Sequence, residues 1–163
     1  MTYLKFTFGI FIILAASRFI PHPPNFTSLI ALSFYIPLIL GNRFIPAILL
    51  SLAFTDIIIG MHNTILYTWG SIIVIGLISH VFKQNIFKRI LGTVCCASLF
   101  FIITNFGVWT IGNYGYNFNG LVSCYVLAIP FFGQTLISTL VYSGIIEVVI
   151  RIIKINKLNK SYL

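Results

Sequence analysis

The sequence predicts an all-α integral membrane protein, a bundle of six transmembrane helices with both termini in the cytoplasm. Three observations predict it. Of 163 residues, 59% are hydrophobic and only 7% are charged, whereas a soluble domain carries about a quarter of its residues as charges to cover its surface. The apolar residues fall into runs close to the ~20 residues that a membrane-spanning helix needs. Nine of the ten Lys and Arg residues fall in alternate segments that share one side, the asymmetry that orients helices in a bilayer. Six spans of ~20 residues leave only short connections, so residues 1–163 are expected to form a single membrane domain without an attached ATPase or receptor module.

The first run covers residues 4–20 and stops at Pro21-His22-Pro23-Pro24, which cannot continue a helix. The second, 28–40, is short and contains Pro37. The third and fourth cover 44–60 and 64–82, and the fifth covers 89–107. The last apolar region, 121–155, is too long for one ordinary span, and Pro130 divides it. The reading is an external loop over 108–130 that holds a short helix, followed by a sixth span over 131–155. Many of these residues favour strands, but barrel strands alternate apolar and polar residues over ~10 positions. These runs are longer and apolar all round, which suits lipid-facing helices.

With the N-terminus in the cytoplasm, the cytoplasmic segments hold Lys5, Arg43, Lys83, Lys88, Arg89, Arg151, Lys154, Lys157 and Lys160, and the external segments hold only Arg18. The net charge of +8 is thereby accounted for by membrane orientation, and no nucleic-acid partner is expected. The expected location is a bacterial inner membrane. A competing reading of Met1 to Ser17 is a signal peptide, since a basic start, an apolar stretch and Ala15-Ala16-Ser17 have that form. Cys95, Cys96 and Cys124 are an odd number and form no C-x-x-C pair; buried thiols behave as small apolar residues, so neither a disulfide framework nor a zinc site is expected.

Three loops distant in sequence carry the unusual side chains, and all are external in this orientation. They are Arg18, His22 and Asn25 after the first helix; Asp56, His62 and Asn63 at the end of the third; and Thr104, Asn105 and Trp109 at the end of the fifth. A few placed polar groups among apolar and aromatic ones describe a small-molecule site. The plainer reading is an interfacial belt with ordinary loop residues, and it is preferred for Tyr114, Tyr116 and Asn117. Ionisable groups within spans are costly and usually paired or functional, so Asp56 is expected to pair with Arg18. His22, His62 and Asp56 have ligand chemistry for a transition metal but no recognised metal spacing. No metal and no cofactor are expected. In the last span Thr135, Thr139, Ser143, Glu147 and Arg151 recur every fourth residue, which reads as a packing seam of small hydroxyls ending in a Glu147–Arg151 pair, or as a docking surface.

The sequence has no G-x-x-x-x-G-K-[ST], H-E-x-x-H or G-x-S-x-G motif, and its two acids fall at opposite ends of the bundle, so an enzyme is not expected. Four strings carry a resemblance. They are Arg18-Phe19-Ile20-Pro21-His22-Pro23-Pro24-Asn25-Phe26-Thr27; Thr55-Asp56-Ile57-Ile58-Ile59-Gly60-Met61-His62; Thr104-Asn105-Phe106-Gly107-Val108-Trp109; and Gly120-Leu121-Val122-Ser123-Cys124-Tyr125, leading to Ile129-Pro130-Phe131-Phe132. In this order they resemble a bacterial membrane family, domain-of-unknown-function family 6580. That family looks like the substrate-binding S components of energy-coupling-factor transporters. The resemblance implies a six-helix fold, an external site closed by loops, and a transmembrane coupling protein with two ATPases as partners. Many S components carry A-x-x-x-A in helix 1 for docking; here the first helix offers only the adjacent Ala15 and Ala16.

The function expected from these features is capture of a small molecule from outside. Arg18, His22, Asn25, Asp56, His62, Asn105 and Trp109 are the expected lining. In that reading Arg18 meets an anionic group, Trp109 stacks on a ring, Asn25 and Asn105 orient the ligand, and Asp56 pairs with Arg18 or the ligand. The alternatives are an assembly subunit of a larger membrane complex and, third, a membrane-embedded enzyme using the external His and Asp residues.

Overall fold

The computed structural model describes the backbone of residues 2–160 and the side chains of residues 3–154. The described residues form six α-helices and no strand: α1 (Thr2–Phe19), α2 (Leu29–Leu40), α3 (Ile45–Ile59), α4 (Ile65–Ile78), α5 (Ile86–Thr110) and α6 (Phe118–Lys160). Two 3-10 turns, Asn42–Phe44 and Ser79–Phe82, join α2 to α3 and extend α4. The stops are local. Gly41 and Gly60 take φ of 96° and 125°, and their N–H groups close the last turns of α2 and α3 on Pro37 O and Asp56 O. At the start of α5, Asn85 accepts from Lys88 N–H at 2.9 Å, a side-chain cap for a donor that the helix itself leaves unpaired.

Four helical stretches are long and apolar enough to cross a membrane: Asn42–Ile59, Ile65–Phe82, Ile86–Thr110 and Phe118–Lys154. Helix α2 is apolar but only 12 residues long, about 18 Å at 1.5 Å per residue. It is the centre of the bundle. Nine of its residues are buried, Phe34 and Tyr35 completely. On one side it packs with Ile10 and Leu14 of α1 and Ile48 and Leu52 of α3. On the other it packs with Ile75 of α4 and Cys96 and Ala97 of α5. Helix α1, the segment with a signal-peptide-like pattern, thus contributes Ile10, Leu14 and Ala15 to the buried core of the bundle.

The helices run alternately up and down, which gives two distinct ends. At one end the Tyr3 hydroxyl donates to Arg43 O at 3.1 Å, His80 Nε2 lies 2.8 Å from Asn42 Oδ1, and Arg89 reaches Glu147. This basic end gathers Lys5, Arg43, Lys83, Lys88, Arg89, Arg151 and Lys154. At the other end Ser17 meets Ser28, Arg18 meets Asp56, and Thr110 meets the Tyr67 hydroxyl. Among the described residues, Arg18 is the sole Lys or Arg of this polar end.

Two sequence expectations are corrected here. Pro130 does not divide the last region: α6 is one helix of 43 residues with Pro130 inside it. Proline removes a single helical hydrogen bond, whereas ending a helix leaves several backbone donors and acceptors unpaired, each costly in an apolar medium. Continuing is cheaper than stopping. The expected loop over 108–130 with its short helix is accordingly a tight turn between Thr110 and Phe118. Gly112 and Gly115 take φ of 90° and 80° there, Trp109 Nε1 donates to Gly115 O at 3.0 Å, and Asn117 Oδ1 accepts from Gly120 N–H at 2.7 Å.

The second correction concerns Glu147, which does not pair with Arg151. Its carboxylate takes a two-pronged contact from Arg89 of α5, Nε to Oε1 at 2.5 Å and an NH2 nitrogen to Oε2 at 2.7 Å. The Tyr35 hydroxyl of α2 donates to the same Oε1 at 2.8 Å. An inward-facing carboxylate satisfies both oxygens with a planar guanidinium; Arg151, one turn on, is exposed. Thr135, Thr139, Ser143 and Glu147 form one buried face, so the hydroxyl stripe looks into the bundle.

Gly120 shows how tightly the α5–α6 turn is closed. A Cβ there would lie 2.2 Å from Tyr114 O and 2.4 Å from Gly115 O, both backbone atoms that cannot swing aside. Gly120→Ala is expected to lower the thermal unfolding midpoint in detergent, with a loss of about 1–3 kcal/mol typical of overpacking. Gly144→Ala, where an added Cβ meets nothing within 4 Å, is expected to leave the midpoint in place.

Candidate ligand-binding site

Because α2 is short, the polar end of the bundle is not filled along its axis. Leu29 and Ile30, at the start of α2, form part of the wall of a cavity of about 440 Å³. The surrounding elements supply the rest: Arg18 from α1, Leu52 and Asp56 from α3, Phe100, Phe101, Thr104 and Asn105 from α5, and Phe131, Phe132, Thr135, Ser138 and Thr139 from α6. His22, Asn25 and His62 reach it from the two loops.

The charged pair expected from the sequence is present. Arg18 NH1 lies 2.7 Å from Asp56 Oδ1, and Asp56 is 1% exposed. Arg18 NH1 donates to Thr55 Oγ1 at 2.6 Å and to Leu52 O at 3.4 Å, and Trp69 Nε1 donates to Asp56 Oδ2 at 3.0 Å. Asp56 Oδ1 receives no aligned hydrogen bond; its contact with the guanidinium is one of charge. Two opposite charges at this distance cancel toward the cavity, so its wall carries no net charge from this pair.

The other polar groups offer mainly acceptors. The hydroxyls of Thr104, Thr135 and Thr139 donate back to carbonyls of their own helices at 2.7–2.9 Å, which leaves their lone pairs for an incoming donor. Ser138 also donates to Thr135 O at 2.9 Å. Asn105 Nδ2 donates to Phe101 O at 2.8 Å, so its amide oxygen remains available. Asn25 takes φ of 62°, a conformation that asparagine tolerates, and its carbonyl lies 3.4 Å from the Ser138 hydroxyl. His22 Nδ1 donates to Pro23 O at 2.7 Å, and His62 Nε2 lies 3.1 Å from Thr68 Oγ1. The apolar part is aromatic: Phe101 stands 4.8 Å from Phe132 between ring centroids, with Phe100 and Phe131 beside them in the lining.

Of the residues singled out from sequence, Arg18, His22, Asn25, Asp56, His62 and Asn105 line this one cavity. Trp109 does not. Its ring packs on Phe106 and Tyr116 at 5.6 and 6.2 Å and its N–H holds Gly115 O, so it braces the α5–α6 turn. Sequence reasoning missed the phenylalanines, which look like any lipid-facing aromatic, and placed Thr135 and Thr139 in a packing seam. The signal for the threonines was present, because their four-residue spacing puts them on one face. His22, His62 and Asp56 share the cavity, yet among the described residues no three His, Cys, Asp or Glu side chains cluster closely enough to hold a metal ion.

A family model described as a family of unknown function, DUF6580, matches residues 2–161. No curated protein and no solved structure matches the chain.

Proposed function

The chain belongs to DUF6580, a family of unknown function, and from its cavity we propose that it is the membrane-embedded substrate-binding component of an uptake transporter for a small, vitamin-like molecule. The observation that carries this reading is the 440 Å³ cavity at the polar end, walled by residues of all six helices, Thr68 of α4 included. Its size falls within the ~300–1,000 Å³ of small-molecule sites. In this reading all six helices cross or enter a bacterial inner membrane and both termini are cytoplasmic, supported by the gathering of Lys and Arg at the opposite end. The cavity then opens to the outside. The sequence lacks a phosphate-binding loop, so energy for release comes from a partner, a transmembrane coupling protein with ATPase subunits, in keeping with the resemblance to S components.

The lining also selects a ligand chemistry. Arg18 is engaged by Asp56, Thr55 and Leu52, so an anionic ligand gains less from it than the sequence alone suggested. Aromatic walls and a row of acceptor oxygens suit a compact aromatic heterocycle of no net charge with N–H or O–H donors on one edge. The chain's two carboxylates are both ion-paired, Asp56 with Arg18 and Glu147 with Arg89, which favours binding over acid–base chemistry.

Native mass spectrometry of the gently purified protein, with identification of anything released on denaturation, tests the reading. One small molecule per chain is expected. Phe101→Ala is expected to weaken its retention about tenfold, the loss of one aromatic contact, and Trp109→Phe to leave retention unchanged. An empty protein carrying a stoichiometric protein partner other than a transport ATPase would replace this reading with that of an assembly subunit.

A further inference from the structure

At the basic end a second recess lies between α5 and α6, a groove of about 420 Å³ whose apolar lining includes Ile86, Ile90, Gly144 and Val148. Its walls are apolar and open to the outside of the bundle: Ile86 is 56% and Val148 58% exposed. Gly144 deepens it, since a Cβ there would meet no atom within 4 Å.

The charges of this groove do not balance. Four ionisable groups face it, Arg89, Glu147, Arg151 and Lys154. Arg89 and Glu147 satisfy one another, and Tyr35 holds the same carboxylate. The chain has only two acidic residues, and the other, Asp56, is bound to Arg18 at the opposite end. Among the described residues Arg151 and Lys154 therefore form no salt bridge, Glu147 being held by Arg89, and the chain has no further Asp or Glu for them. They follow Val148 by three and six residues on α6, about 4.5 and 9 Å farther along its axis. The surface thus reads apolar first and cationic next, the order of an acyl chain and its headgroup.

We propose that this groove binds an anionic phospholipid, its phosphate between Arg151 and Lys154 and its acyl chains on Ile86, Ile90 and Val148. Basic recesses between membrane helices recognise anionic headgroups in this way. A helix of a partner protein would cover the apolar wall, but it would leave the two cations uncompensated unless it carried its own acids. The phosphate supplies the missing charge and the acyl chains supply the missing cover together.

The test uses the purified full-length protein, titrated in detergent with phosphatidylglycerol or phosphatidylcholine and read by native mass spectrometry. One phosphatidylglycerol per chain is expected to be retained, and phosphatidylcholine to be lost first. Arg151→Gln with Lys154→Gln is expected to weaken retention about 30-fold, roughly fivefold for each basic group near an anionic headgroup. Gly144→Leu, which fills the groove without changing charge, is expected to displace the lipid as well. Lys5→Gln with Lys83→Gln, exposed cations of the same end outside the groove, is expected to change retention less than twofold. Equal retention of the two lipids, an equal loss in the Lys5/Lys83 pair, or full retention in Gly144→Leu each overturns the proposal.

Discussion

Replacing Arg89 with methionine is expected to destabilise the bundle by about 3–5 kcal/mol, the cost of stranding one partner of a buried ion pair. Glu147 is 7% exposed and its two oxygens take both arms of the Arg89 guanidinium, so no solvent replaces the lost partner. In the proposed bilayer setting, helix association rests on packing and polar contacts rather than on the hydrophobic effect. The pair, with Tyr35, ties α2, α5 and α6 together at the basic end. Denaturation in mixed micelles, followed by circular dichroism, measures the loss. The double variant Arg89→Met with Glu147→Met is expected to be more stable than either single variant, because no charge is then stranded. Tyr35→Phe on its own is expected to cost about 1 kcal/mol, one hydrogen bond. Additive losses in the double variant would show that Arg89 and Glu147 do not act as a unit.

Asp56→Asn is expected to have the largest effect on binding, because it alters the charge of the cavity as well as its shape. The substitution keeps the side-chain volume and an oxygen for the Trp69 indole, but it leaves Arg18 with a full positive charge in the cavity wall. A stability loss of about 1.5–3 kcal/mol is expected from the missing charged contact, together with at least tenfold weaker retention of an uncharged ligand, which one such contact covers. Arg18→Gln combined with Asp56→Asn restores neutrality and is expected to recover part of both losses. Thermal unfolding in detergent and ligand retention by native mass spectrometry read the two effects separately. Tighter retention in Asp56→Asn, with loss in Arg18→Gln, would mean that the natural ligand is an anion held by Arg18.

Much of this architecture was legible in the chain because its physical causes are local. Prolines at 21, 23 and 24 and glycines at 41 and 60 end helices by backbone geometry, and long apolar runs force helices in an apolar medium. Asp56 and Arg18 were readable as a pair because a span tolerates few charges and these two fall at similar depth near the same end. The cavity's polar rim followed for the same reason: Arg18, His22, Asn25, Asp56, His62 and Asn105 sit at one end of alternating helices whatever their exact packing.

Packing decided the rest. A helix that is apolar all round carries no period to say which face turns inward, so Phe101 and Phe132 could not be told from lipid-facing aromatics, and Trp109 could not be told from a ligand contact. For Glu147 the sequence offered Arg151 one turn away; only the approach of α5 brought Arg89 into a two-pronged contact instead. Pro130 looked like a boundary because the cost of a proline is local, whereas the greater cost of stopping a helix among apolar neighbours is set by the surroundings. By itself the sequence determined the helices, their alternation and the chemistry at each end, since those depend on residue type and order along the chain. The tertiary structure alone decided that the short α2 stands at the centre and leaves a cavity beyond its first turn, because that depends on which faces of five other helices close around it.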